Sequence, residues 1–221
     1  MPDHNLSPPA AAVHGPSVGL LAYLKSAPIW LLWKLEPAET PGKKPPKVPY
    51  YVNGKRRQGP LDSPTDRQQL CTFDQAVAAL NGSNGFYTGI AIALGADGRG
   101  GYVQGVDLDD IEANGLSDIA TRWVRGDFAG KGYVEISPSG HGLHILGYGR
   151  AFAPLGTNGS GIEVYTGGRF FTFTGKQALF DSPCEAFDIA EFTETVLKGR
   201  RQGGRRAGLL GPLRCGPARY Q

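Results

Sequence analysis

Acidic side chains and a histidine stand at alternating positions of short apolar segments, a pattern that can build a metal-binding centre. Asp107 and Asp109 lie two residues apart in VDLD, His144 lies between apolar residues in GLHI, and Glu163 does so in GIEV. Residues two apart on a strand share one face. If the three strands are neighbours in one sheet, these side chains converge, and crowded carboxylates repel one another unless a multivalent cation lies between them. Hard oxygen ligands select Mg²⁺ or Mn²⁺ rather than zinc.

A simpler interpretation stays open for each of these residues taken alone. A D-x-D pair also occurs at solvated strand ends, and a single His or Glu is usually structural. The joint pattern on separate strands therefore carries the metal-site hypothesis.

The segment SPSGHGLH, which ends at His144, has the composition of an anion-binding turn. Glycines let backbone N–H groups approach an anion, and serine hydroxyls and a histidine add donors. An ordinary Gly-rich hairpin turn has the same composition. Beside a carboxylate–metal site, however, the segment indicates a phosphate cradle, and metal plus triphosphate indicates nucleotidyl transfer. The candidate nucleotide-binding residues of this turn are Ser137, Ser139, Gly140, His141 and Gly142.

The elements that position these residues are predicted from periodicity and turn signals. The strand-like segments are IWLLWKLE, IAIAL, YVQGVDLDD, YVEISPS, GLHILGY, GIEVYT and RFFTFTG, and Asn53-Gly54 signals a hairpin turn. Helices are predicted for TFDQAVAAL, where Thr72 and Gln75 have capping-box spacing, for LSDIATRWVRG with Ser117 as a cap, and for Cys184 to Leu197 with Ser182 as a cap. Because the late strands are separated by short turns, an α+β fold is favoured over a doubly wound sheet.

Composition bounds the class of protein. The 221 residues suit one large domain or two small ones, and no apolar run is long enough to span a bilayer, so we expect no membrane partner. The three cysteines are odd in number and lack zinc spacing, which favours a reducing, cytoplasmic setting.

Amino-acid composition and charge divide the chain into three segments. Residues 1–17 are Pro- and Ala-rich and are expected to be disordered, and residues 18–197 are expected to form the catalytic domain. Residues 198–221 carry seven of the 23 basic residues and none of the 20 acidic ones, which leaves 16 basic against 20 acidic residues before them. This Gly/Arg-rich tail is expected to be flexible. It suits nucleic acid phosphates or a solvated linker.

Three motifs in order resemble the archaeo-eukaryotic primase superfamily, and most of all its bacteriophage and plasmid primase-polymerase branch. They are VDLDD, EISPSGHGLHI and GIEVYTGGRFFTFTG, preceded by a W-x-x-W segment and GKKPPKVPY that resemble the N-terminal signature of that branch. The resemblance covers roughly residues 28–197. It implies two packed α/β modules, one of them RRM-like, with a mixed or antiparallel sheet and packed helices.

The resemblance also implies roles for single residues. Asp107 and Asp109 match the D-x-D that binds divalent metals, and Glu163 stands where the family has another acidic ligand. His144 matches the histidine that contacts the triphosphate, and Arg169 is expected to contact phosphate.

The chain departs from the superfamily in one motif. Gly142 stands where the S-x-H form of the second motif has serine, although Ser139 to His144 satisfies the longer S-G-x-G-x-H of the branch.

The implied activity is a DNA primase or primase-polymerase that works by two-metal phosphoryl transfer. Its partners would be a single-stranded DNA template, NTP or dNTP, and a replicative helicase in trans. The residues expected to contact the template, unless they form only a solvated loop, are Lys43, Lys44, Lys47, Arg56 and Arg57.

Three alternatives belong to other classes of function. A rolling-circle initiator nuclease uses a histidine pair and a tyrosine, and His141 and His144 lie near Tyr148 and Tyr165. That chemistry needs H-x-H on one strand face, whereas H-x-x-H puts the two rings on opposite faces. A catalytically silent nucleotide- or DNA-binding remnant of a primase-helicase is the second alternative, and a phosphodiesterase that uses the same carboxylates is the third.

Overall fold

The computed structural model of the chain describes residues 19–156, 159–176 and 186–197. Helices in this part of the chain are α1 (Leu20–Ser26), α2 (Pro64–Arg67), α3 (Phe73–Asn81), α4 (Ser117–Val124) and α5 (Ile189–Phe192), which is followed by a π-helical turn (Thr193–Leu197). The strands are β1 (Trp30–Leu35), β2 (Lys47–Tyr50), β3 (Gly89–Ala93), β4 (Gly95–Ala96), β5 (Tyr102–Leu108), β6 (Tyr133–Ile136), β7 (Leu143–Gly149), β8 (Ile162–Tyr165) and β9 (Phe170–Phe173).

These strands form two antiparallel sheets. The first sheet has the order β2-β1-β3-β9. The second has the order β4-β5-β7-β6, and β8 also pairs with β5. Every pairing is antiparallel. The expected α+β fold with antiparallel sheets is therefore confirmed.

The main core lies between the two sheets. Trp30 and Ile92 of the first sheet belong to the same buried cluster as Val103, Leu146 and Tyr148 of the second. The indole of Trp30 makes edge-on contacts with Phe73 of α3 and Phe173 of β9, at centroid distances of 4.9 and 5.0 Å. Aromatic pairs in this geometry add to the stabilisation from burial alone.

The opposite face of the second sheet is buried as well. Val106 and Leu108 on β5 are fully buried. Trp123 of α4 stacks on Phe128 at 4.8 Å and meets Phe187 at 5.7 Å. On the neighbouring strand β7, Ile189 at the start of α5 lies against Gly147, and β5 itself is buried over most of its length.

Local sequence signals predicted several boundaries. Thr72 and Gln75 form the expected capping box at the start of α3, with both hydrogen bonds present. Gly54 adopts a φ of 86° in the predicted hairpin turn, and the Tyr51 N–H donates to the carbonyl of Lys55.

Two helix starts differ from the prediction. Ser117 is the first residue of α4 rather than its cap, which is Leu116 and makes no side-chain cap bond. Residues 186–188 are not helical, so the last helix begins at Ile189 rather than Cys184, and the predicted cap Ser182 lies outside the described residues.

The chain divides into two compact units, one up to Ala190 and one from Glu191 onward. Of the second unit, residues 191–197 are described. The expectations for residues 1–17 and 198–221 fall outside the described residues. Across the described ranges, no helix is long and apolar enough to cross a bilayer.

Candidate catalytic site

One side chain from each of four strands lines up across the second sheet. Asp107 on β5 is the register partner of His144 on β7 and of Glu163 on β8. Glu135 on β6 is in turn the partner of His144. The order across the sheet is therefore Glu135, His144, Asp107, Glu163, which we call the polar row. The condition set by the sequence, that the three motif strands be neighbours in one sheet, holds.

The polar row continues the face that packs between the sheets. His144 alternates with Leu146 and Tyr148, which belong to the inter-sheet core. Val106 and Leu108 are buried on the other face of β5, and the face that carries the polar row is also covered over part of its length. The site thus lies where this core ends, and its side chains are held by packing on both sides of the sheet.

The ring of His144 is fixed from several directions. Its Nδ1 lies 3.0 Å from the carbonyl oxygen of Thr172 and 3.5 Å from Glu135 Oε1. The ring also packs against Phe171 at 4.9 Å. These contacts leave Nε2 on the side of Asp107, at 3.9 Å from its Oδ1.

Asp107 is partly buried and lies close to other acidic side chains. Burial raises the pKa of its carboxyl group, and the nearby charges of Asp109 and Glu163 raise it further, against the opposing effect of His144 and Lys47. A carboxylate that is ionised in such surroundings gains from a nearby cation. The site therefore favours a positively charged ligand beside Asp107.

Asp107 and Asp109 open into a cleft of about 840 Å³ that also has a basic side. Lysines 44, 47 and 176 line this cleft together with the two aspartates. Asp109 follows directly on β5 and its N–H donates to the carbonyl of Gly161 at 2.8 Å. Carboxylates and ammonium groups facing one space suit a ligand that brings both cations and anions, such as a metal-bound triphosphate.

The carboxylates beside the cleft have the oxygen ligands that a divalent ion such as Mg²⁺ prefers. Within the described ranges, no three His, Cys, Asp or Glu side chains are placed to hold one ion between them. Glu163 Oε2 accepts a hydrogen bond from the Tyr165 hydroxyl at 2.6 Å. Mg²⁺ is usually held by one or two carboxylates together with substrate phosphates rather than by a complete protein cage. Asp107 and Asp109 fit that requirement, and the roles of both aspartates and of Glu163 as metal ligands stay predictions.

The Gly-rich turn lies beside these carboxylates. The Ser137 N–H donates to the Gly142 carbonyl and the Gly140 N–H to the Ser137 carbonyl, both at 2.9 Å, and Gly140 has a φ of 80°. Ser137 and Ser139 line the cleft, and their hydroxyl oxygens are 3.0 Å apart. A Cβ at Gly142 would overlap the carbonyl oxygen of Leu108, so glycine is required there by close backbone approach. His141 is exposed and is not among the described residues that line the cleft.

Arg169 is not among the described residues that line the cleft. It precedes β9, of which Thr172 and Phe173 line the cleft. The Arg169 guanidinium lies 5.0 Å from the ring of Tyr165. The phosphate contact of Arg169 stays a prediction, and Lys176, which follows β9, is a basic residue that lines the cleft.

The residues expected to contact the template divide into two groups. Lys43, Lys44, Lys47 and Arg56 are exposed, as a template contact requires. The prediction that Arg57 contacts the template is wrong, because its side chain is fully buried and pairs with Asp66 at 2.7 Å. Buried in this way, Arg57 stabilises the fold and has no surface with which to meet DNA.

Two residues near the site were missed by sequence reasoning. Glu135 alternates with apolar residues in YVEI just as Glu163 does in GIEV, so the same signal could have found it. Lys176 follows a strand in TFTGK and has no comparable local signal, since its place in the cleft depends on the turn after β9.

No model of a known protein family matches the chain. A protein of Nitratiruptor phage NrS-1, named DNA Primase-polymerase, is 29% identical over 180 residues, which is 76% of this chain. The match covers 21% of the phage protein, so the chain spans about a fifth of that relative. The match supports a relationship to primase-polymerases.

Proposed function

We propose that the chain is a template-directed nucleotidyltransferase of the DNA primase or primase-polymerase type. The observation that carries this proposal is the polar row, in which Asp107 lies between His144 and Glu163 beside a cleft lined by lysines. The relationship to a phage primase-polymerase supports it. A single-stranded DNA template and a nucleoside triphosphate are the substrates of this activity.

Asp107 and Asp109 would hold Mg²⁺ or Mn²⁺, with Glu163 as a further acidic ligand. When bound, such ions lower the pKa of the attacking 3′-hydroxyl and neutralise the triphosphate and the leaving pyrophosphate. The two aspartates differ in setting, since Asp107 is partly buried within β5 whereas Asp109 is exposed beyond it. Of the two proposed ligands, Asp107 thus lies within a strand and Asp109 lies at the exposed side of the cleft.

The other groups of the cleft orient the nucleotide. His144, held at Nδ1, presents Nε2 on the side of Asp107 and is the proposed triphosphate contact. Ser137 and Ser139 add hydroxyls, and the cleft-lining lysines supply positive charge against the phosphates. Preorganised donors of this kind act without reorganisation during the reaction.

The structure weighs against the rolling-circle nuclease. That chemistry needs two histidines on one strand face, but His141 is exposed in the turn whereas His144 is buried in β7. A silent remnant retains the same binding groups, and turnover is what separates it from an enzyme.

The deciding experiment is nucleotide incorporation on single-stranded DNA with Mg²⁺ or Mn²⁺, with and without an annealed primer. We expect labelled products in the presence of metal. Products without a primer would identify a primase, and products only with a primer would identify a polymerase. Metal-dependent nucleotide binding without product in any condition would contradict the proposal and favour the remnant. DNA cleavage with a covalent tyrosine adduct would favour the nuclease.

A further inference from the structure

Glu135 is a buried carboxylate at the end of the polar row for which the proposed chemistry has no use. Its side chain is only 1% exposed. Its two oxygens accept from the Thr174 N–H at 3.0 and 3.1 Å, and Oε2 also accepts from the Gly175 N–H at 3.0 Å and from the Tyr133 hydroxyl at 3.2 Å. A buried charge is tolerated only when its oxygens are satisfied in this manner.

The same carboxylate faces the histidine of the site. Glu135 Oε1 lies 3.5 Å from His144 Nδ1, the nitrogen that lies 3.0 Å from the Thr172 carbonyl oxygen. Thr172 is on β9 of the first sheet, and Thr174 is the first residue after that strand. Glu135 on β6 thus contacts β7 through His144 and the segment that follows β9 through Thr174 and Gly175.

The segment 174–176 is fastened to β6 by further hydrogen bonds. The Ile136 N–H donates to the Lys176 carbonyl at 2.9 Å, and the Thr174 hydroxyl donates to the Ile136 carbonyl at 3.0 Å. The Lys176 N–H donates to Thr174 Oγ1 at 3.1 Å. This turn is what carries Lys176 into the cleft.

We propose that Glu135 is a positioning residue for nucleotide binding, which holds the ring of His144 and the turn that bears Lys176 in one arrangement. The inference rests on the proposed function, because it takes the triphosphate as the ligand of His144 and Lys176. A carboxylate suits this place because both of its oxygens accept, whereas a glutamine must turn its NH₂ group toward one of the surrounding N–H donors. Neutral Glu135→Gln therefore keeps the size of the side chain and disrupts its contacts.

The test compares Glu135→Gln with Glu112→Gln, an exposed glutamate on the loop after β5 that serves as the matched control. Nucleotide dissociation constants are measured with MgATP and MgdATP, incorporation is resolved into KM and kcat, and thermal unfolding is followed in parallel. The imidazole ¹⁵N signals are recorded by two-bond ¹H–¹⁵N correlation, where only four histidines need assignment. Glu135→Asp, which keeps the charge but shortens the side chain, is measured in the same way and supplies the readouts if Glu135→Gln does not fold.

We expect Glu135→Gln to shift or broaden the His144 nitrogen signals and to weaken nucleotide binding by about tenfold, with the change mainly in KM. With His144→Ala, the combined loss should be smaller than the product of the two single losses. Lower thermal stability with unchanged His144 signals and unchanged nucleotide binding would overturn the inference and leave Glu135 purely structural. A combined loss of nucleotide affinity equal to the product of the two single losses would also overturn the inference. Failure of the proposed function is seen separately, as a wild type that incorporates no nucleotide, because the ring signals need no turnover.

Discussion

The buried ion pair between Arg57 and Asp66 gives the sharpest stability prediction. Arg57 donates to Asp66 through Nε at 2.8 Å and through Nη2 at 2.7 Å, and Asp66 also accepts from the Tyr51 hydroxyl at 2.6 Å and from the Asp62 N–H at 2.8 Å. Burial alone would raise the pKa of Asp66, but these hydrogen bonds and the charge of Arg57 lower it from 3.8 to about 2. At about 1.4 kcal/mol per pKa unit, this difference corresponds to roughly 2.5 kcal/mol of stability.

The direction in which stability changes with pH follows from the lowered pKa of Asp66. The stabilisation is fully present above the ordinary pKa of 3.8 and is lost as the pH falls toward 2. Asp66→Asn leaves Arg57 buried with a neutral partner, so we expect a loss of about 3 kcal/mol at pH 7. The gap to the wild type should narrow by about 1 kcal/mol at pH 3 and by about 2 kcal/mol at pH 2, because Asp66 of the unfolded wild-type chain takes up a proton at a higher pH than Asp66 of the folded protein.

The assay is urea denaturation followed by tryptophan fluorescence between pH 7 and pH 2. Glu39→Gln, a change at an exposed loop residue, is the control and should leave the denaturation midpoint unchanged at each pH. A loss for Asp66→Asn that stays constant with pH, or no loss at pH 7, would refute the assignment of Arg57 to the fold. It would also reopen a role for Arg57 in template binding.

Further outcomes follow from single positions. Asp107→Asn should raise the urea midpoint, more at pH 7 than at pH 3, because the raised pKa of Asp107 means that its ionised form costs stability as the pH rises; an equal or lower midpoint at pH 7 would argue against this crowding. Gly142→Ala should lower the free energy of unfolding by about 1–3 kcal/mol, because the added Cβ overlaps the Leu108 carbonyl oxygen. Gly140→Ala meets open space and should lower it by about 1 kcal/mol, because alanine disfavours the φ of 80°. Equal urea midpoints for the two variants would contradict this difference. Burial raises the pKa of Cys71 to about 11, so at pH 8 peptide mapping should find its alkylation in native protein at least about a hundredfold slower than in urea; similar rates would show that the thiol is accessible.

Features that depend on neighbouring residues were predictable from the sequence. The capping box of Thr72 and Gln75 is complete within four residues, and it was confirmed. The start of α4 depends on more distant contacts, because Leu116 is fully buried and its N–H donates to the Ile111 carbonyl. That packing makes Leu116 the cap and moves Ser117 into the helix.

Strand alternation predicted which face each site residue occupies, but not which strands pair. Asp107, His144 and Glu163 meet because β5 lies between β7 and β8, an arrangement that no short stretch of sequence specifies. Arg57 can be buried because it pairs with Asp66, which lies nine residues later in the short helix α2. A basic residue in a Lys-rich segment therefore looked like a surface contact although it belongs to the core.

The most direct test of the site compares Asp107→Asn and Asp109→Asn with Asp110→Asn in nucleotide incorporation on single-stranded DNA. Asp110 is exposed and adopts a φ of 41°, a conformation that asparagine also tolerates, so this control removes one charge beside the site without strain. If Asp107 and Asp109 hold the metal, Asp107→Asn and Asp109→Asn should each lower incorporation by about a thousandfold or more, while Asp110→Asn stays within about threefold of the wild type. Folded Asp107→Asn and Asp109→Asn proteins that synthesise DNA as well as Asp110→Asn would contradict the assignment of these carboxylates to catalysis.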